Sequence, residues 1–194
     1  SITLNNNATF GSDLKALSSF KNLESFSMWA DLSGFTIDTS DCGSLTSLEL
    51  YNLHTTNRNF PVIQTKGLKN LTELALSDFV IEGSLGDLNN QIRRLHINNS
   101  VLPDSSDKLD LSSYTEIYSL SLVNLGLKEV TGLENMSSLW ELSLDDNNLT
   151  AVPKLSKDAD ALSSLGLQNN QISDISALAE INANAPLTTI YLQN

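Results

Sequence analysis

The chain of 194 residues holds few side chains with reactive chemistry to offer. Cys42 is its single cysteine, and His54 and His96 are its two histidines. His54 falls in a turn and His96 on an outward strand position, far apart in sequence, so they do not converge as metal ligands. Asp104, Asp107 and Asp110 in PDSSDKLD carry the oxygens a calcium ion takes, but a solvated acidic loop is the simpler account. GSLGDL (Gly83–Leu88) lacks the lysine of a phosphate-binding loop and reads as a plain loop. G-x-S-x-G, H-E-x-x-H and C-x-x-C are all missing. One cysteine allows no internal disulfide and reads as a small buried filler. The sequence therefore predicts no catalytic residue, no cofactor and no metal.

Binding chemistry is better represented. Trp29 and Tyr51, and again Tyr118 and Trp140, are aromatics of the kind that anchor interfaces. Arg93 and Arg94 form a basic pair, and Glu141, Asp145 and Asp146 lie close to Trp140 in an acidic one. The formal net charge of -12 argues against nucleic acid or an anionic membrane surface as partner, and favours a neutral or basic protein. No apolar run reaches the roughly 18 residues of a membrane span.

These residues have to be positioned, and a repeat does it. LSSLGLQNNQI (Leu162–Ile172) and LWELSLDDNNL (Leu139–Leu149) share one pattern, L-x-x-L-x-L-x-x-N-x-L. Looser copies start at Leu23, Leu45, Leu71, Ile92, Ile117 and Leu187, 21 to 26 residues apart. SITLNNNAT at the N-terminus enters mid-pattern. The alternation L-x-L is a strand period, with the leucines inward and the intervening residues outward. The remainder of each copy turns back to begin the next parallel strand. In SDLKALSSFKN (Ser12–Asn22), Leu14, Leu17 and Phe20 fall at helical spacing, with Ser12 or Asp13 able to cap the turn. One copy cannot bury its apolar face alone, so copies stack.

The pattern resembles the leucine-rich repeat family along essentially the whole chain. The resemblance implies an α/β solenoid: a curved horseshoe with a parallel β-sheet on the concave face and helical or irregular convex segments. Residues 1–194 read as one such domain of about nine repeats, the first and last partial and without visible caps. That suggests a fragment of a longer protein, with self-association through uncapped ends as a further expectation. The Asn place of the pattern, which satisfies turning backbone groups, is filled by Asn7, Asn147 and Asn170, whereas Leu53, Phe79 and Leu125 cannot do that work. IEGSL (Ile81–Leu85) is similar to a step of plant-type extracellular repeats, and NQISDISAL (Asn170–Leu178) to internalins and the SDS22-like class.

Numbered from its first leucine, the pattern sends positions 2, 3, 5, 7 and 8 to the concave face. The partner-binding candidates are therefore Trp29, Tyr51, Arg93, Arg94, His96, Tyr118, Trp140, Glu141, Asp145 and Asp146. The bland reading stands beside each: the aromatic pairs also cover the sheet, and the arginines also neutralise neighbours such as Glu73. Five N-x-S/T sequons occur, about the chance expectation in so Asn-rich a chain, and Asn70 and Asn135 are the best glycan acceptors among them. The resulting expectation is a non-enzymatic protein- or peptide-recognition module, resembling the ectodomain of a leucine-rich repeat receptor at the cell surface. The rival settings are a cytoplasmic SDS22-like scaffold that binds an enzyme, and an internalin-like adhesin.

Overall fold

A computed structural model describes residues 2–5, 21–53, 59–88, 90–181 and 183–193. The helical expectation over Ser12–Asn22 falls almost entirely outside them, as do Asn7 and His54. The chain divides into two compact units, residues 1–89 with 99–105, and residues 90–98 with 106–194. Each is a stretch of parallel β-solenoid.

In the first unit, β1 (Ile2–Asn5), β2 (Ser25–Ala30), β4 (Ser47–Asn52) and β6 (Glu73–Ser77) pair in parallel, in that order. A second parallel sheet runs through β3 (Thr36–Asp38), β5 (Val62–Gln64) and β7 (Val80–Glu82), and Val80 bridges on to Val101. In the second unit the main sheet is β8 (Arg94–Asn98), β10 (Ser119–Val123), β12 (Glu141–Ser143), β13 (Ser164–Gly166) and β14 (Thr189–Tyr191). Its returning segments pair β9 (Lys108–Asp110) with β11 (Glu129–Thr131).

The repeat pattern accounts for the core. Its fourth and sixth positions, such as Leu74 and Leu76, Leu120 and Leu122, or Leu165 and Leu167, are fully buried on consecutive strands. Its first position adds Leu71, Ile117, Leu139 and Leu162 beneath them. Burying one such side chain is worth about 2 kcal/mol, so the stack of rungs rather than any single turn holds the fold. In β14, the last strand described, the inward Ile190 is 40% exposed.

The segments that return to the next strand are less helical than expected. Among the described residues they form short strands and 3₁₀ turns, at Leu85–Asp87, Pro103–Ser105, Leu133–Asn135 and Ser176–Glu180. With so few residues between strands, a turn of 3₁₀ helix closes the step where an α-helix would overrun it. Two glycines are needed there. Gly67 and Gly132 have φ of 115° and 90°, and a Cβ at either would collide with backbone of the preceding turn, at Thr39–Ser40 and Leu111–Ser112. Among the described residues no helix is long and apolar enough to cross a membrane.

The Asn place shows how the turns are satisfied. Asn147 Oδ1 accepts from the N–H groups of Leu125 (3.1 Å) and Leu127 (3.0 Å), and its Nδ2 donates to the carbonyls of Leu122, Leu144 and Asp145. Asn170 repeats the arrangement one rung on. Two further residues do similar work, contrary to the sequence reading. Ser100 accepts the Phe79 N–H with its hydroxyl at 3.1 Å. Asn52, one place ahead of Leu53, accepts the Leu32 N–H at 2.8 Å. The reason is strand length. β2 and β4 run six residues, so Ala30 and Asn52 at pattern position 8 turn inward instead of outward. In later rungs the strand stops sooner, and Asp78, Asn99, Asn124, Asp146 and Asn169 at that position take left-handed φ between 52° and 67°. Asn and Asp tolerate this conformation better than other side chains.

Candidate functional site

The outward face of the strands is organised in columns, one residue per rung. At position 2, four of the eight described rungs carry a Ser or Thr hydroxyl that donates to the backbone carbonyl of the rung before, while Glu24, Arg93, Tyr118 and Trp140 hold the other four places. Thr46 Oγ1 reaches Glu24 O and Thr72 Oγ1 reaches Thr46 O, both at 3.0 Å. In the second unit Ser163 Oγ reaches Trp140 O at 3.1 Å and Thr188 Oγ1 reaches Ser163 O at 3.5 Å. The same position in the three preceding rungs of that unit holds Arg93, Tyr118 and Trp140. Their backbones keep the rung-to-rung bonds, Tyr118 N to Arg93 O at 2.9 Å, Trp140 N to Tyr118 O at 2.8 Å and Ser163 N to Trp140 O at 2.9 Å. Their side chains are released. Arg93 is exposed, Tyr118 half-buried, and Trp140 44% exposed. Beside Arg93 lies a recess of about 340 Å³, lined also by Asn90, Gln91, Thr115 and Glu116.

Acidic residues on this face take serine hydroxyls from the neighbouring strand. Ser27 donates to Glu49 Oε2 at 3.2 Å, Ser47 to Glu73 Oε2 at 3.3 Å and Ser119 to Glu141 Oε2 at 3.2 Å. Ser119 is buried, and His96 Nε2 lies 2.8 Å from the same oxygen. With the hydroxyl proton directed at Glu141, His96 Nε2 carries the proton it shares with Ser119, an assignment inferred from the network. His96, Ser119 and Glu141 thus form one polar line across three strands.

The three acids near Trp140 divide by role. Asp145 is spent on the solenoid: Oδ1 accepts from Gln168 N at 2.7 Å and Oδ2 from Ser143 Oγ at 3.0 Å. Its carboxylate fills the space over Gly166, where a Cβ would meet it at 2.8 Å. Asp146 accepts from Asn169 Nδ2 at 2.7 Å. Glu141 keeps an oxygen beyond its bond to Ser119 and sits next to Trp140 in the chain.

In the first unit, Trp29 and Tyr51 are opposite one another on β2 and β4, and their rings stack with centroids 5.1 Å apart and planes 2° from parallel. Both are half-buried. Arg94 and His96 are half-buried on β8. Asn98, also on β8, accepts from Ser121 Oγ and Val123 N. The sequon residues Asn70 and Asn135 are exposed, yet each amide nitrogen donates to the preceding turn, to Gly43 O at 2.6 Å and to Ser112 O at 3.3 Å.

Away from the face, Lys128 pairs with Asp107 and Lys108 with Glu129, each at 2.8 Å along β9 and β11. The Lys128 ammonium holds the Asp107 carboxyl below the usual aspartate range, and Glu129 raises Lys108. Asp110 is lowered by its bonds to Ser112. Two of the three aspartates read as calcium candidates are therefore engaged with Lys128 and Ser112. Burial, with Asp38 and Asp41 nearby, pushes the Cys42 thiol up. A groove of about 420 Å³ between β11 and the segment Leu149–Lys154 has an apolar floor of Val130, Leu149, Val152 and Pro153.

The sequence reading missed the hydroxyl column, although Thr46, Thr72, Ser163 and Thr188 are visible at one repeat position. It also missed Ser119, because Ser119 works by joining two residues that were noticed singly.

Comparison with known proteins agrees with the repeat. No family model matches the chain. It is 40% identical over 55 residues to the leucine-rich repeat-containing protein 23 of Bos taurus, covering 28% of this chain and 16% of that protein. It is 30% identical over 106 residues to the acidic leucine-rich nuclear phosphoprotein 32 family member A of Drosophila pseudoobscura pseudoobscura, covering 54% of this chain and 39% of the relative. It is 38% identical over 66 residues to the human leucine-rich repeats and immunoglobulin-like domains protein 1, covering 34% of this chain and 6% of that protein. The chain thus spans well under half the length of each of these relatives.

Proposed function

The chain is a leucine-rich repeat protein, and we propose that it is a non-enzymatic module that binds a protein or peptide on the outward face of its strands. One observation carries this reading. The stitching hydroxyl at position 2 is given up in three successive rungs for Arg93, Tyr118 and Trp140. In these three rungs large side chains, with Arg93 exposed and Trp140 44% exposed, stand where four other rungs place a bonded hydroxyl worth about 1 kcal/mol. Glu141 and His96, joined through Ser119, extend the surface inward, with Arg94 on the same strand as His96. Trp29 and Tyr51 form a separate anchor in the first unit. The acidic balance favours a neutral or basic partner.

As for setting, two observations favour the inside of a cell. One relative matched over half of this chain carries "nuclear" in its name. Cys42 is a buried free thiol. The second reading is a receptor ectodomain, supported by the exposure of the sequon residues Asn70 and Asn135. The mass of the protein from its native source, before and after removal of N-glycans, separates the two.

The binding reading is tested by selecting binders from a random displayed peptide library on the wild-type chain. They are then assayed against Trp140→Ser and Glu141→Lys on the strand face, and against Lys128→Ala away from it. The expected result is loss on the first two and retention on the third. Binders that ignore both strand-face variants overturn the reading.

A further inference from the structure

We infer that the column Arg93–Tyr118–Trp140 takes a proline-rich segment in polyproline II conformation, carrying a basic residue that reaches Glu141. This rests on the reading of the strand face as the binding surface.

Hydrogen-bond chemistry comes first. The backbone N–H groups of Tyr118, Trp140 and Ser163 are spent on the carbonyls of Arg93, Tyr118 and Trp140. A segment laid along the column therefore meets side chains, and those carry donors: a guanidinium, a phenolic O–H and an indole N–H. A strand partner needs acceptors as well as donors. A proline-rich segment has no backbone N–H at its prolines and presents carbonyls alone. A surface offering donors and aromatic faces suits that ligand.

Spacing comes second. Neighbouring strands are about 4.8 Å apart, so Arg93 and Trp140, two rungs apart, are separated by roughly 9.6 Å along the column. Polyproline II rises about 3.1 Å per residue with three residues per turn, so like positions recur about every 9.3 Å. A ring set against Trp140 thus brings the residue three places on to Arg93, with Tyr118 midway. A β-strand ligand, repeating at about 6.7 Å, falls out of step with the rungs.

Charge comes third. Glu141 follows Trp140 in the chain and accepts from the Ser119 hydroxyl, while Asp145 and Asp146 are engaged elsewhere on the solenoid. A lysine or arginine at the Trp140 end of the segment meets a carboxylate already held in place.

The test is isothermal titration with two synthetic peptides. One is a run of eight prolines with a terminal arginine; the other has the same arginine on a Gly/Ser chain of equal length. The variants are Tyr118→Thr and Trp140→Ser, which restore the stitching hydroxyl, with urea unfolding as the check that they fold. The proline peptide is expected to bind the wild type, to weaken at least tenfold in each variant, and to lose its salt dependence in Glu141→Gln. The Gly/Ser peptide is expected to bind at least tenfold more weakly. Equal binding of the two peptides, or a proline peptide indifferent to both variants, overturns the inference. If neither peptide binds the wild type, the inference falls, and the library experiment then decides the broader reading separately.

Discussion

Removing one amide should unsettle two turns at once. Asn147 is buried, and it joins a single side chain to five backbone groups. Two N–H groups, of Leu125 and Leu127, depend on its oxygen. Its two amide protons are shared among three carbonyls at 2.7 to 3.1 Å. In Asn147→Ala the two N–H groups lose their acceptor in the interior, at about 1–2 kcal/mol each, and the cavity and orphaned carbonyls add to that. The expected loss is about 4 kcal/mol. With a slope of about 2–3 kcal/mol per molar urea, the unfolding midpoint falls by about 1.5 M. Trp140 is in the same rung, so with Trp29 replaced by Phe its fluorescence follows the damaged turn even where repeats unfold stepwise. Ser100→Ala is the internal comparison, because Ser100 supplies one such bond, to Phe79 N. Its loss should be about 1 kcal/mol. If Asn147→Ala costs no more than Ser100→Ala, the turns are held by leucine packing and the amide is incidental.

Three further outcomes follow from the same geometry. Gly132→Ala puts a Cβ into the backbone at Leu111–Ser112 with φ at 90°, so urea unfolding should show a loss of about 2 kcal/mol or more. Cys42, buried and with its thiol pushed up, should resist a thiol reagent at pH 8 and react only once urea opens the chain; rapid labelling of the folded protein would contradict its placement. Asp107 has its folded value lowered by Lys128, so that pair stabilises above the ordinary aspartate range and the stabilisation fades as pH falls through the lowered value. Carbon-detected titration should place Asp107 below the usual range, and Lys128→Gln should move it back up.

Much of this fold can be read from spacing alone, because the repeat is a burial code. Every L-x-L sends two side chains inward whatever surrounds it, and Leu120, Leu122, Leu142 and Leu144 obey. The inward turn of Asn52 was not legible, since it depends on β4 running one residue further than β6, β8 and β10, and no local residue type states that length. The one stretch with helical leucine spacing, Ser12–Asn22, lies almost entirely outside the described residues; the returning segments that are described use short strands and 3₁₀ turns, as at Leu133, which no residue type announces. On the candidate face, residue types pointed to the aromatics and charges individually. Which carboxylates were already engaged depended on neighbours 22 or 23 residues away: Glu141 takes Ser119, and Asp145 takes Gln168 N.

The notch at Gly166 ties two positions together in heredity. The carboxylate of Asp145 occupies the volume a side chain at Gly166 would need, and nothing else crowds that site within the distance of a hard contact. A side chain gained at 166 while Asp145 stands displaces its carboxylate from Gln168 N, whereas one gained after Asp145 is shortened meets nothing at hard-contact distance. Glycine at 166 should accordingly persist where aspartate stands at 145 and loosen where it does not, so the two sites record the order of their own substitutions.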